Sequence, residues 1–201
     1  LSALLLAMSL AHAGVARERV DLSALDAAMP GPRTQVLVLG SVHLAQGEGA
    51  TFDAASLEPV LQRLAAYQPD IVTIEALSGE TCELMRLRAA YKNVLETFCP
   101  DVAEARAATG LDGRAALDAI DAAFKTWPAR PTPAQRRRLA SVFLAAGEPA
   151  SALVQWWQLP ESERHAGDGL DDALVQALHK REASANENYQ IAARLASRLG
   201  L

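Results

Sequence analysis

The chain lacks the signatures of the commonest enzyme classes. It has no H-E-x-x-H, no G-x-S-x-G, no phosphate-binding P-loop and no G-x-G-x-x-G after an apolar strand. These absences remove the usual zinc-protease, serine-hydrolase, nucleotide and dinucleotide readings. A basic excess is also missing. Twenty-four acidic residues stand against 19 basic ones, for a formal net charge of -5, and the basic side chains are scattered apart from Arg136, Arg137 and Arg138. No nucleic-acid partner is expected, because phosphate binding needs a concentrated positive patch. No apolar run is long enough to span a bilayer as a helix, so no stable membrane span is expected. Only two cysteines are present, Cys82 and Cys99, without a third Cys or a nearby His at ligand spacing, and they do not make a metal site by themselves. Neither an internal repeat nor a low-complexity tract is visible.

Half of the 201 residues are hydrophobic and 21% are charged, a balance that supports one packed globular domain. Residues 1–13 are apolar and end in Ala11-His12-Ala13, the small-x-small pattern of a signal-peptidase site, so they read as a partial export signal. The alternative is a buried helix of the mature fold. Export implies a periplasmic or secreted location, and in an oxidising compartment Cys82 and Cys99 are expected to form a disulfide. The other reading of the two cysteines is a pair of buried free thiols.

The order of elements predicts an α/β fold. The apolar run at residues 36–39, closed by Gly40, reads as a first strand, and the run at 71–75 reads as a second. Between them Leu57, Val60, Leu61 and Leu64 recur at helical spacing after Asp53 or Ser56 as cap, and Gln68-Pro69-Asp70 stops the helix. One strand-helix-strand unit with short connections implies parallel strands and a right-handed crossover. From about residue 81 the pattern is helical, with a helical insertion over about 81–180 and a long final helix over 170–199. Apolar positions on both sides of Gly147-Glu148-Pro149 predict a helical hairpin there. A two-stranded parallel sheet needs further strands, and the expectation is a single α/β domain over 14–201 whose C-terminal strands are missing. Of the adjacent Trp156 and Trp157, only one can face a core along one helix face.

In open α/β sheets ligands gather beyond the carboxyl ends of the strands, which makes His43 and Glu75 the leading site candidates. Side chains leaving adjacent strand ends can share a water or a divalent metal, so the pair could act in general base catalysis or as metal ligands. Weaker candidates have plainer readings. Glu48 reads as a solvated loop carboxylate, Glu80 and Glu83 as charges near a helix start, His165 as exposed, His179 as part of a charged helix face, and His12 as leaving with the signal.

Gly40-Ser41-Val42-His43 matches a G-x-x-H motif after a first strand, and Pro69-Asp70-Ile71-Val72-Thr73-Ile74-Glu75 matches a P-D-x-(apolar)-x-x-E second strand. Together they resemble the erythromycin esterase, ChaN, TraB and TIKI superfamily over roughly residues 35–80. The helix containing Ala185-Asn186-Glu187-Asn188-Tyr189-Gln190 is similar to that superfamily's late helix, with Glu187 where the pattern has Arg. The resemblance implies a second G-x-x-H on a later strand, which this chain does not contain, and it adds Asn188 as a site residue. It also implies one of several activities: esterase-type hydrolysis, metal-dependent proteolysis or haem-iron binding.

The resulting expectation is an exported hydrolase-like protein. His43 and Glu75 would activate water, directly or through a divalent metal, for cleavage of an ester or amide in a small-molecule or peptide substrate, and Asn188 would orient it. The alternative is an exported haem-iron binding protein with His43 as an axial contact.

Overall fold

A computed structural model describes residues 31–46 and 52–201. Residues 1–13, with the expected signal and His12, and the loop residue Glu48 lie outside the described residues. The chain divides into two compact units, residues 1–39 and 40–201.

The expected α/β architecture is corrected by the structure: the protein is helical, with nine α-helices and no β-strand among the described residues. Neither 36–39 nor 71–75 is a strand. In the first unit Val36 and Val38 are exposed, Val38 by 87%, and in the second Ile71 is 78% exposed. Strand-forming residues do not make a strand alone, because the hydrogen bonds of a strand come from a neighbouring strand rather than from its own backbone. The only β-bridge among the described residues is the isolated pair Gly167 and Leu170 inside a loop.

The second unit begins with short 3-10 turns at Leu44–Gln46 and Ala54–Leu57. The side chain of Asp53 caps the latter by accepting from the Ala55 amide at 2.9 Å. The α-helices then follow as α1 (Glu58–Tyr67), α2 (Gly79–Arg86), α3 (Lys92–Phe98), α4 (Ala103–Thr109), α5 (Gly113–Lys125), α6 (Pro133–Ala146), α7 (Pro149–Trp157), α8 (Asp172–Glu182) and α9 (Arg194–Leu199). A π-helical segment, Asn188–Ala193, leads directly into α9.

The core is built around α6. Thr132 and Gln135 form a reciprocal capping box at its start, Pro133 occupies the first turn, and residues 139–146 are all buried. The hairpin expected at Gly147-Glu148-Pro149 is present, with Gly147 at φ +85°, a conformation that favours glycine. Helix α7 returns along α6 and inserts Trp156, which has no exposed surface, while Trp157 is half-buried on the next position. Arg137, itself buried, ties the loop before α8 to α6 through Asp168 (2.8 Å) and the Glu163 carboxylate (2.8 Å).

A second, smaller cluster positions the candidate site. Leu61 of α1, Ile191 of the π-helical segment and Leu195 of α9 are buried together, with Leu44 and Val72 packed against them. Apolar burial therefore holds the residue after His43, a residue near Glu75 and the late helical segment to one centre.

Cys82 and Cys99 form the expected disulfide, with Cα atoms 6.0 Å apart, joining α2 to the end of α3. Among the described residues no helix is long and apolar enough to cross a membrane.

Candidate functional site

The expected single late helix is interrupted, and the interruption builds the site. Helix α8 stops at Glu182, and the Asn186 side chain accepts from the Asn188 amide at 2.9 Å, a local bond that competes with regular helix. Gln190 is 1% exposed, and its amide nitrogen donates to the carbonyls of Glu182 (2.8 Å) and Ser184 (2.7 Å). One buried side chain thus takes over backbone acceptors that a continuous helix would have used. The chain restarts in the π-helical geometry that is often found at functional positions.

This break presents Glu187 and Asn188. Glu187 Oε1 meets His43 Nδ1 at 2.6 Å, a contact across 144 positions of sequence. The Leu44 backbone N–H also favours the ionised Glu187 carboxylate. Asn188 Nδ2 donates to the backbone carbonyl of Glu75 at 3.2 Å. The structure therefore sets His43 against Glu187 and ties Asn188, the next residue, to the backbone of Glu75. Glu187 was missed because the resemblance placed an arginine there; the carboxylate directly before Asn188 was the available signal.

The electrostatics follow from these contacts. The His43 ring is raised above its ordinary value, first by its hydrogen bond to Glu187, then by the charge of that carboxylate, and to a lesser degree by the charge of Glu75. Glu187 ends below the ordinary carboxylate range. Burial pushes it up, but the backbone N–H groups of Glu187 itself and of Leu44, together with His43, outweigh that effect. An ionised Glu187 can only accept, so Nδ1 carries a proton and, in the neutral ring, the lone pair lies on Nε2. The His43 side chain is 59% exposed, so the ring is open to solvent.

The remaining candidates are placed elsewhere. Glu80 is in the first turn of α2, and Glu83 pairs with Arg106 of α4 at 2.7 Å. His165 contacts the Ala166 carbonyl at 2.7 Å, and His179 contacts Glu182 at 2.7 Å with its ring edge-on to Trp156. Among the described residues no group of three or more His, Cys, Asp or Glu side chains is arranged to hold a metal ion. His43 and Glu75 alone do not complete such a donor set.

Compared with protein-family models, curated proteins and solved structures, the chain matches none.

Proposed function

We propose that the protein is an exported hydrolase-type enzyme of the superfamily its G-x-x-H and P-D-x-(apolar)-x-x-E motifs resemble, with His43 as general base on an ester or amide. The observation that carries this reading is the 2.6 Å contact between Glu187 and His43 Nδ1. A carboxylate bound to one ring nitrogen fixes the tautomer and leaves the other nitrogen basic, the arrangement general base catalysis requires. In the proposed step Nε2 takes a proton from water as the water oxygen attacks the carbonyl carbon. The bond to the leaving oxygen or nitrogen then breaks, and the imidazolium returns the proton to that atom. Glu187 stabilises the imidazolium in between. Glu75 adds negative charge to the same end, and Asn188 is a positioning residue that joins the Glu75 segment to the late helix. The disulfide supports an oxidising compartment.

The test is turnover of a panel of p-nitrophenyl esters and short peptides by the wild type and by His43→Ala, Glu187→Gln and Glu75→Gln. Loss of the base is expected to cost about 10²-fold or more in rate, with Glu187→Gln intermediate. Unchanged turnover in both His43→Ala and Glu187→Gln would reject the assignment. Haem titration is the control: a Soret band abolished in His43→Ala would move the site from catalysis to ligand binding.

A further inference from the structure

Two guanidinium groups near the C-terminal end of α7 have only neutral partners among the described residues. Arg194 Nε donates to Gln190 Oε1 at 2.7 Å, and its guanidinium lies 4.7 Å from the centre of the Trp157 ring. Arg164 donates through Nε to the Leu159 carbonyl (3.2 Å) and through Nη2 to the Trp157 carbonyl (3.0 Å). Both arginines are half-buried and line one groove of about 510 Å³. Leu61, Ala54, Ala55 and Ser197 also line it. Two carboxylates also face this groove, and both are already engaged. Glu58 holds Arg198 through two bonds of 2.9 and 2.7 Å, and Glu182 accepts from Trp157 Nε1 (2.6 Å) and contacts His179 (2.7 Å).

The groove therefore carries three arginines against two carboxylates, and Arg164 and Arg194 have no ion-pair partner among the described residues. Hydrogen bonds to carbonyls and stacking on an aromatic face orient a guanidinium without neutralising it, and its remaining N–H groups are shaped for the oxygens of a carboxylate or phosphate. The groove is many times the roughly 30 Å³ share of a single water, so it has room for more than the oxoanion itself. We infer that this groove binds an anionic small molecule. Its carboxylate or phosphate group pairs with Arg164 and Arg194, and its apolar or aromatic body lies against Leu61, Ala54 and Ala55. None of His43, Glu75, Glu187 or Asn188 lines the groove, so this binding stands apart from the proposed hydrolysis.

Calorimetric titration of the full chain at low salt with phenyl phosphate, benzoate and the neutral benzyl alcohol tests it. At least one anion is expected to bind with a millimolar or tighter Kd, weakening as NaCl is added, while benzyl alcohol does not bind. Binding of phenyl phosphate alone would assign a phosphate ligand, and binding of benzoate alone a carboxylate. Arg194→Gln is expected to weaken binding about tenfold or more, Arg194→Lys less, and the surface control Arg114→Gln not at all. Arg164→Gln is expected to act like Arg194→Gln; if loss of its carbonyl contacts unfolds the chain, Arg194→Gln decides alone. Equal binding of benzyl alcohol, wild-type affinity in Arg194→Gln, or no binding of either anion at about 10 mM would overturn the inference.

Discussion

His43 holds its proton to higher pH than a free imidazole because Glu187 accepts from Nδ1 and Glu75 adds a second negative charge nearby. A base that works through its neutral form gains activity as pH rises through this raised value. Glu187→Gln should therefore shift the rising limb of the pH-rate profile to lower pH while reducing the maximal rate. Glu75→Gln should shift it less, since Glu75 is the smaller cause. The same order is expected in an NMR titration of the His43 ring, and an unmoved ring in Glu187→Gln would remove that carboxylate from the site. For stability the signs are opposite for the two partners. The contribution of His43 is complete below the ordinary imidazole range and is lost as pH rises through its folded value. That of Glu187 is present above the ordinary carboxylate range and is lost as pH falls through its own. The two groups form a full ion pair only between those two values; above them the Nδ1–H bond to Glu187 remains with a neutral ring. His43 and Glu75 were legible as candidates, because a histidine and a carboxylate finishing apolar runs stand out in sequence, and Asn188 entered through the family resemblance. The pairing of His43 with Glu187 was not, since it spans 144 positions and depends on where the late helix breaks.

At the scale of elements, the break after α8 rests on Gln190. Gln190→Leu leaves the carbonyls of Glu182 and Ser184 without that donor and is expected to cost about 1 to 3 kcal/mol in chemical denaturation. It should also loosen the His43 contact, seen as a return of the ring titration toward the ordinary value. A second sensitive point is the start of α2. The Gly79 amide donates to Glu148 at 2.7 Å, and a Cβ at Gly79 would stand 1.8 Å from the Ala146 carbonyl oxygen. Gly79→Ala must push α2 off the α6 to α7 turn, and about 1 to 3 kcal/mol of destabilisation is expected from such overpacking. Within the hairpin, Trp156→Ala should cost about 3 to 5 kcal/mol, because the side chain is fully enclosed. The hairpin was readable in advance, since the glycine and proline at its turn and the apolar spacing on both sides are local signals. The division of residues 170–199 into α8, a π-helical segment and α9 was not, because helical periodicity runs through the break and a buried glutamine does not announce its acceptors.

For the whole molecule, the disulfide and the exposed apolar segments set the expected behaviour. Reducing Cys82–Cys99, which are 17 positions apart, should lower stability by about 3 kcal/mol through the greater freedom of the unfolded chain. Equal denaturation midpoints with and without reductant would show that α2 and α3 are held by packing alone. Residues 36–39 expose valine and leucine side chains, and Ile71 and Ile74 are exposed as well, on backbone that no strand pairs. Such segments favour self-association. Val38→Lys and Ile71→Lys are each expected to lower light scattering at high protein concentration while leaving the melting temperature within error of the wild type.

By itself the sequence marked the helical hairpin, favoured the pairing of the two cysteines, and named His43 and Glu75 as candidates, with Asn188 added through a family resemblance. The hairpin and the cysteine pair rest on residue type and short-range position. Only the tertiary structure decided against the sheet and in favour of Glu187 as the partner of His43. A strand exists through the hydrogen bonds of a neighbour, and a contact between distant side chains exists through the packing that holds their backbones in place. Neither is encoded in the segment that displays it.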